Sequence, residues 1–230
     1  MNIQIFPDDN AVATAAAGII AAEARNAVAA RGRFVVAFSG GRTPWIMLRA
    51  LADAEVPWHG VHLVQVDERI APAGHKDRNL THIRESLLDL VPIPAAQVHA
   101  MPVEEADLVA AVAAYERTLN SIAGTPAILD VIHLGLGPDG HTASLVPGDP
   151  VLEVANADVA TTGIYQGRQR MTLTYPILNR ARRILWLVTG AEKIAMLARL
   201  RQADPTIPAG RVRQDCALVL ADQSAVGQLP

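Results

Sequence analysis

Five strand-length stretches, residues 34–38, 61–66, 128–134, 183–188 and 217–221, are dominated by apolar residues and alternate with stretches of helical periodicity. Runs apolar on both faces belong inside a parallel sheet covered by helices on each side. Strands and helices alternating at this spacing point to an α/β class: a three-layer α/β/α, Rossmann-like domain with a mostly parallel sheet. Residues 2–6 suit an edge strand, and residues 159–165 and 171–175 suit a pair of antiparallel segments. A helix is expected over residues 104–122, with Leu108, Val112, Tyr115 and Leu119 on one face. No repeat or Gly/Ser linker interrupts the pattern, so residues 1–230 are read as one domain.

Three of the strands run into polar loops. Residues 34–38 lead into Ser39-Gly40-Gly41-Arg42-Thr43-Pro44, residues 61–66 into Asp67-Glu68-Arg69, and residues 128–134 into Gly135-Leu136-Gly137-Pro138-Asp139-Gly140-His141. In a parallel sheet such ends share one edge, so the three loops are expected to line one pocket. The first loop reads as an anion cradle, with Thr43 capping the next helix and Pro44 at its first position. The helix dipole contributes only about 0.3–1 kcal/mol to anion binding, so Arg42 and Arg69 are expected to add charge. An ordinary strand-to-helix turn would carry the same residues. In the last loop, His141 has the residue type of a base near neutral pH, and Asp139 lies close enough in sequence to fix its tautomer. A histidine bonded only within its own loop is the competing reading.

Several functions are excluded or weakened. Gly135, Gly137 and Gly140 match a dinucleotide fingerprint, with Asp158 at the ribose distance, but Pro147, Gly148 and Pro150 leave no room for the helix that motif needs. The first loop lacks the Gly-Lys-Ser/Thr ending of a Walker loop, and no serine sits in a Gly-x-Ser-x-Gly elbow. The remaining histidines show no metal-ligand spacing, so no metal is expected. Cys216 is the only cysteine, which allows no intrachain disulfide and favours a reducing compartment. A net charge of −3 offers no basic surface for nucleic acid. No secretory signal or membrane-spanning run is read, and the expected location is the cytoplasm.

Taken together the loops resemble the 6-phosphogluconolactonase family. The resemblance runs through Ser39 to Pro44, Val66-Asp67-Glu68-Arg69 with Asn79 downstream, and Gly135 to Pro147. It continues through Arg170-Met171-Thr172-Leu173-Thr174 and Val188-Thr189-Gly190-Ala191-Glu192-Lys193. It implies a fold shared with glucosamine-6-phosphate deaminase and ribose-5-phosphate isomerase. The implied reaction is hydrolysis of 6-phospho-D-glucono-1,5-lactone to 6-phosphogluconate in the pentose phosphate pathway, without metal or other cofactor. His141 and Asp139 are the implied catalytic pair. Ser39, Gly40, Gly41, Arg42, Thr43, Asp67, Arg69, Asn79, Gly137 and Arg168 are the implied binding residues. The sugar-phosphate lactone is the expected small-molecule partner, with neither nucleic acid nor membrane, for a monomer or homodimer.

This chain departs from the family at Arg78, where serine is usual, at Val146, and in Tyr165-Gln166-Gly167-Arg168-Gln169. Arg168 is expected to replace a phosphate-holding lysine of that last segment. The choice among Arg42, Arg69, Arg168 and Arg170 for the phosphate stays open. Two other readings use the same loops. An isomerase or deaminase would enlist Asp67 or Glu68 for proton shuttling, and a non-catalytic sugar-phosphate sensor would be expected to carry a helix-turn-helix extension, which is not read in these residues.

Overall fold

The computed structural model describes residues 1–227. The first elements are strand β1 (Asn2–Phe6), helix α1 (Asp9–Arg31), strand β2 (Phe34–Phe38), helix α2 (Arg42–Ala52), strand β3 (Val61–Gln65) and strand β4 (Asp67–Arg69). Next come helix α3 (Asn79–Ile83), strand β5 (Val98–His99), helix α4 (Leu108–Ala123), strand β6 (Val131–Gly135), strand β7 (Val159–Thr161) and strand β8 (Arg170–Leu173). Helix α5 (Tyr175–Arg180), strand β9 (Arg183–Val188), helix α6 (Ile194–Arg201), strand β10 (Ala217–Asp222) and the short helix α7 (Gln223–Val226) complete the chain.

Seven strands form one sheet in the order β1-β10-β9-β6-β2-β3-β5, every pair parallel. The α/β fold with a mostly parallel sheet is therefore present. Strand alternation divides the core between the two faces. Phe34, Val36 and Phe38 pack with α1 and α2, while Val35 and Ala37 pack with α4 and the later helices. Fully burying one such side chain is worth about 1.5–3 kcal/mol, which makes β2 the centre of both layers.

Helix α1 shows how local chemistry sets the element ends. Asp8 accepts a hydrogen bond from the Ala11 N–H at 2.8 Å, and Gly32 (φ 72°) closes the helix with its N–H on the Val28 carbonyl. Between them Ala13, Ala16, Ala17, Ala21 and Ala24 are buried, so the backbone lies close to the sheet.

Two boundaries differ from expectation. Helix α4 starts at Leu108 rather than residue 104, because Asp107 accepts from the Val109 and Ala110 N–H groups and fixes the first turn. Asp67, Glu68 and Arg69, expected as a loop, form β4 of a second, antiparallel sheet ordered β4-β8-β7. The antiparallel pairing expected near residues 159–165 and 171–175 is present as β7 and β8.

The carboxyl ends of β2 and β6 are adjacent at the point where chain progression changes direction. From β2 the chain moves to β3, and from β6 it moves the opposite way to β9. Open α/β sheets leave a crevice at such a switch point.

Candidate active site

A cleft of about 570 Å³ occupies that crevice. Its walls contain Ser39, Gly40, Gly41, Arg42 and Thr43 after β2, Asp67 and Arg69 of β4, Asn79 of α3, and Gly137 and His141 after β6. The three loops thus converge as expected. No helix follows Gly140; residues 142–145 form a tight turn instead, so the dinucleotide geometry is absent, and Asp158 is bound to Arg180 at 2.5 Å.

His141 is about one-fifth exposed, and its Nδ1 lies 2.5 Å from Asp139 Oδ1. Burial works to raise the Asp139 pKa. Hydrogen bonds from the His141 backbone N–H and ring and from the Tyr165 hydroxyl outweigh it and hold the carboxyl below its ordinary value. An ionised Asp139 only accepts, so Nδ1 of a neutral His141 carries the proton and Nε2 is left as the acceptor. Asp139 stands behind the histidine rather than in the cleft wall.

Glycine at 137 is a packing requirement. A Cβ there would lie 2.1 Å from His141 Nδ1, so the ring rests against bare backbone. Gly40 has the same relation to Asn79, whose Oδ1 would be 2.0 Å from an added Cβ. Asn79 in turn accepts from Arg69 at 2.5 Å and donates to the Asp67 carbonyl at 2.9 Å.

The buried Glu68 holds this corner together. Its carboxylate accepts from the backbone N–H groups of Arg69, Asn79 and Leu80 and from the Gln65 side chain, all within 2.9 Å. It caps α3 from β4, outside the helix's own flanking residues, and Arg78, itself buried, places its Nε 3.1 Å away as counter-charge. The sequence departure at Arg78 therefore completes a buried ion pair.

Three expectations are corrected. Thr43 does not cap α2: Gly41 is the N-cap, Pro44 is the third helical residue, and the Thr43 hydroxyl pairs with Thr189 at 2.7 Å. The Arg42 side chain is 86% exposed and pairs with Asp9, so the residue offers the cleft its backbone rather than its charge. Arg168 does not line the cleft; Asp77 holds its guanidinium at 3.0 Å.

In its place the structure brings Arg170 and Lys193 into the wall. Arg170 is buried, and its Nη1 faces the Ser144 hydroxyl at 3.5 Å; that hydroxyl donates to Asp67 at 2.6 Å. Burial and the neighbouring Arg69 charge lower the Arg170 pKa. Lys193 enters from a turn ahead of α6, with Glu192 as its carboxylate neighbour at 3.8 Å. Both residues lie in stretches that carried the family resemblance, which is the signal that singles them out.

Among the described residues, no group of three His, Cys, Asp or Glu side chains is placed to hold a metal ion. None of the described helices is long and apolar enough to cross a membrane.

The family of glucosamine-6-phosphate isomerases and 6-phosphogluconolactonases matches residues 7–220. The chain belongs to this family. A 6-phosphogluconolactonase of Mycobacterium tuberculosis is 39% identical over 243 residues, covering 100% of this chain and 98% of the relative. One from Synechocystis is 40% identical over 207 residues, with 86% of each chain covered. The crystal structure of a 6-phosphogluconolactonase from Thermotoga maritima superposes with a TM-score of 0.85 at 28% identity, covering 96% of this chain and 98% of that one. Both relatives and the superposed structure carry the name 6-phosphogluconolactonase.

Proposed function

We propose that the protein hydrolyses 6-phospho-D-glucono-1,5-lactone to 6-phosphogluconate, the oxidative-branch step of the pentose phosphate pathway, with His141 as general base. The observation that carries the reading is His141 on the wall of the switch-point cleft, with Asp139 behind it at 2.5 Å.

Nε2 of His141 takes a proton from water as the water oxygen attacks the lactone carbonyl carbon. Asp139 stabilises the imidazolium that forms. The tetrahedral oxyanion meets the buried Arg170 guanidinium, whose hydrogen bonds act where little water competes. Collapse breaks the bond to the ring oxygen, and the imidazolium returns its proton to that oxygen. The acid then loses its proton to solvent. No step uses a metal.

The substrate phosphate is assigned to the turn from Gly40 to Thr43. The free N–H groups of the first turn of α2 point there, and Lys193 and Arg69 supply charge from the walls. Arg69→Ala is expected to raise KM with little change in kcat.

The isomerase or deaminase reading has less support. Glu68 is fully buried with its oxygens engaged by backbone N–H groups, and Asp67 is bound by Ser144 and Asn79. Neither carboxylate is placed to shuttle a proton. Incubation with glucosamine 6-phosphate is expected to release no ammonia, whereas lactone hydrolysis should exceed the spontaneous rate. The opposite pair of results would reverse the choice.

A further inference from the structure

The tip of the β7–β8 hairpin reaches the catalytic pair through a residue that the mechanism above does not use. Tyr165 and Arg168 exchange backbone hydrogen bonds at 2.9 and 3.2 Å around Gln166 (φ 51°) and Gly167 (φ 77°). Positive φ at both central residues is the tight two-residue hairpin turn whose twist matches its strands. Arg168 fastens the tip to Asp77 at 3.0 Å. The fixed tip presents Tyr165 to three groups at once. Its hydroxyl lies 3.1 Å from Asp139 Oδ2, its ring meets the His141 imidazole edge-on at a centroid distance of 5.5 Å, and its face lies 5.0 Å from the Arg170 guanidinium.

We propose that Tyr165 is a positioning residue for the reaction: its hydroxyl fixes the rotation of the Asp139 carboxylate, and its ring carries Arg170 beside the base. Rotation matters because Asp139 uses its two oxygens for different partners. Oδ1 serves the His141 ring and Oδ2 serves the phenol, so a carboxylate that turns about its own axis misaligns the imidazole. Burial and the adjacent carboxylate both raise the Tyr165 pKa, so the phenol remains a donor. Arg168 thereby acquires a role as the clasp that holds this hairpin in register.

This inference rests on His141 as the base, and the test separates the two. Tyr165→Phe removes one hydroxyl and keeps the ring, and circular dichroism and thermal melting should match the parent. A charge-assisted hydrogen bond of this kind converts to roughly tenfold in rate, so kcat is expected to fall about tenfold with KM unchanged within about twofold. In an Asp139→Asn background, assayed at enzyme concentrations that lift its turnover above the spontaneous rate, the same substitution should cost nothing further, since the acceptor is already altered. A parental kcat in Tyr165→Phe overturns the proposal, as does an equal tenfold loss in both backgrounds. If His141→Ala is inert while Tyr165→Phe is normal, only the positioning role fails. If His141→Ala turns over normally, the base assignment itself fails.

Discussion

Gly137 and His141 form the tightest constraint in the site. With 2.1 Å between a hypothetical Cβ and the imidazole, Gly137→Ala must push the ring off Asp139. Displacement of a catalytic group by about 1 Å can cost on the order of 10²-fold in rate. Gly137→Ala is therefore expected to lower kcat by that order while thermal stability changes little, and steady-state kinetics beside a melting curve checks it. The proposed base and its hydrogen-bonded partner were legible in the sequence because they sit two positions apart behind a strand. The cation beside them was not. Arg168 and Arg170 are near neighbours in sequence, and what separates their roles is Asp77, about ninety residues away, which captures one of them and leaves the other facing the cleft.

At the scale of elements, the corner made by β4 and α3 depends on one carboxylate. Glu68→Ala would uncap α3 and leave buried Arg78 only the exposed Glu104, 3.9 Å away, as counter-charge. Breaking a buried pair in this way typically costs about 3–5 kcal/mol, and urea denaturation should show a loss of that order. A loss of activity without a loss of stability would instead give Glu68 a chemical role. The long central strands were readable because both of their faces are apolar. The three-residue β4 was not, since its strand character comes wholly from pairing with β8, about a hundred positions later. The cap on α3 was hidden for the same reason: no local side chain supplies it.

For the whole molecule, buried histidines make folding depend on pH. His133 is fully buried in the middle of β6, accepts from the Ser39 N–H, and is pushed down to about 3 by burial. The folded form keeps it neutral, whereas the unfolded chain protonates it below its ordinary value near 6.5. The contribution is therefore complete above pH 6.5 and declines as pH falls toward 3, by up to about 1.4 kcal/mol per pH unit for one proton. His62 and His99, bonded to each other at 3.0 Å, are also lowered by burial and add to the same trend. Melting temperature should fall between pH 6.5 and 4, and His133→Phe should flatten the slope; an unchanged slope in that variant would remove His133 as its source.

The mechanism itself is tested most directly by the release of 6-phosphogluconate from freshly prepared lactone, followed against the spontaneous rate for the parent and His141→Ala. The parent should accelerate release, and the variant should lose about 10²–10⁴-fold in kcat at nearly constant KM, the contribution of a positioned general base. Turnover of His141→Ala close to that of the parent would contradict the assignment of His141 as the base.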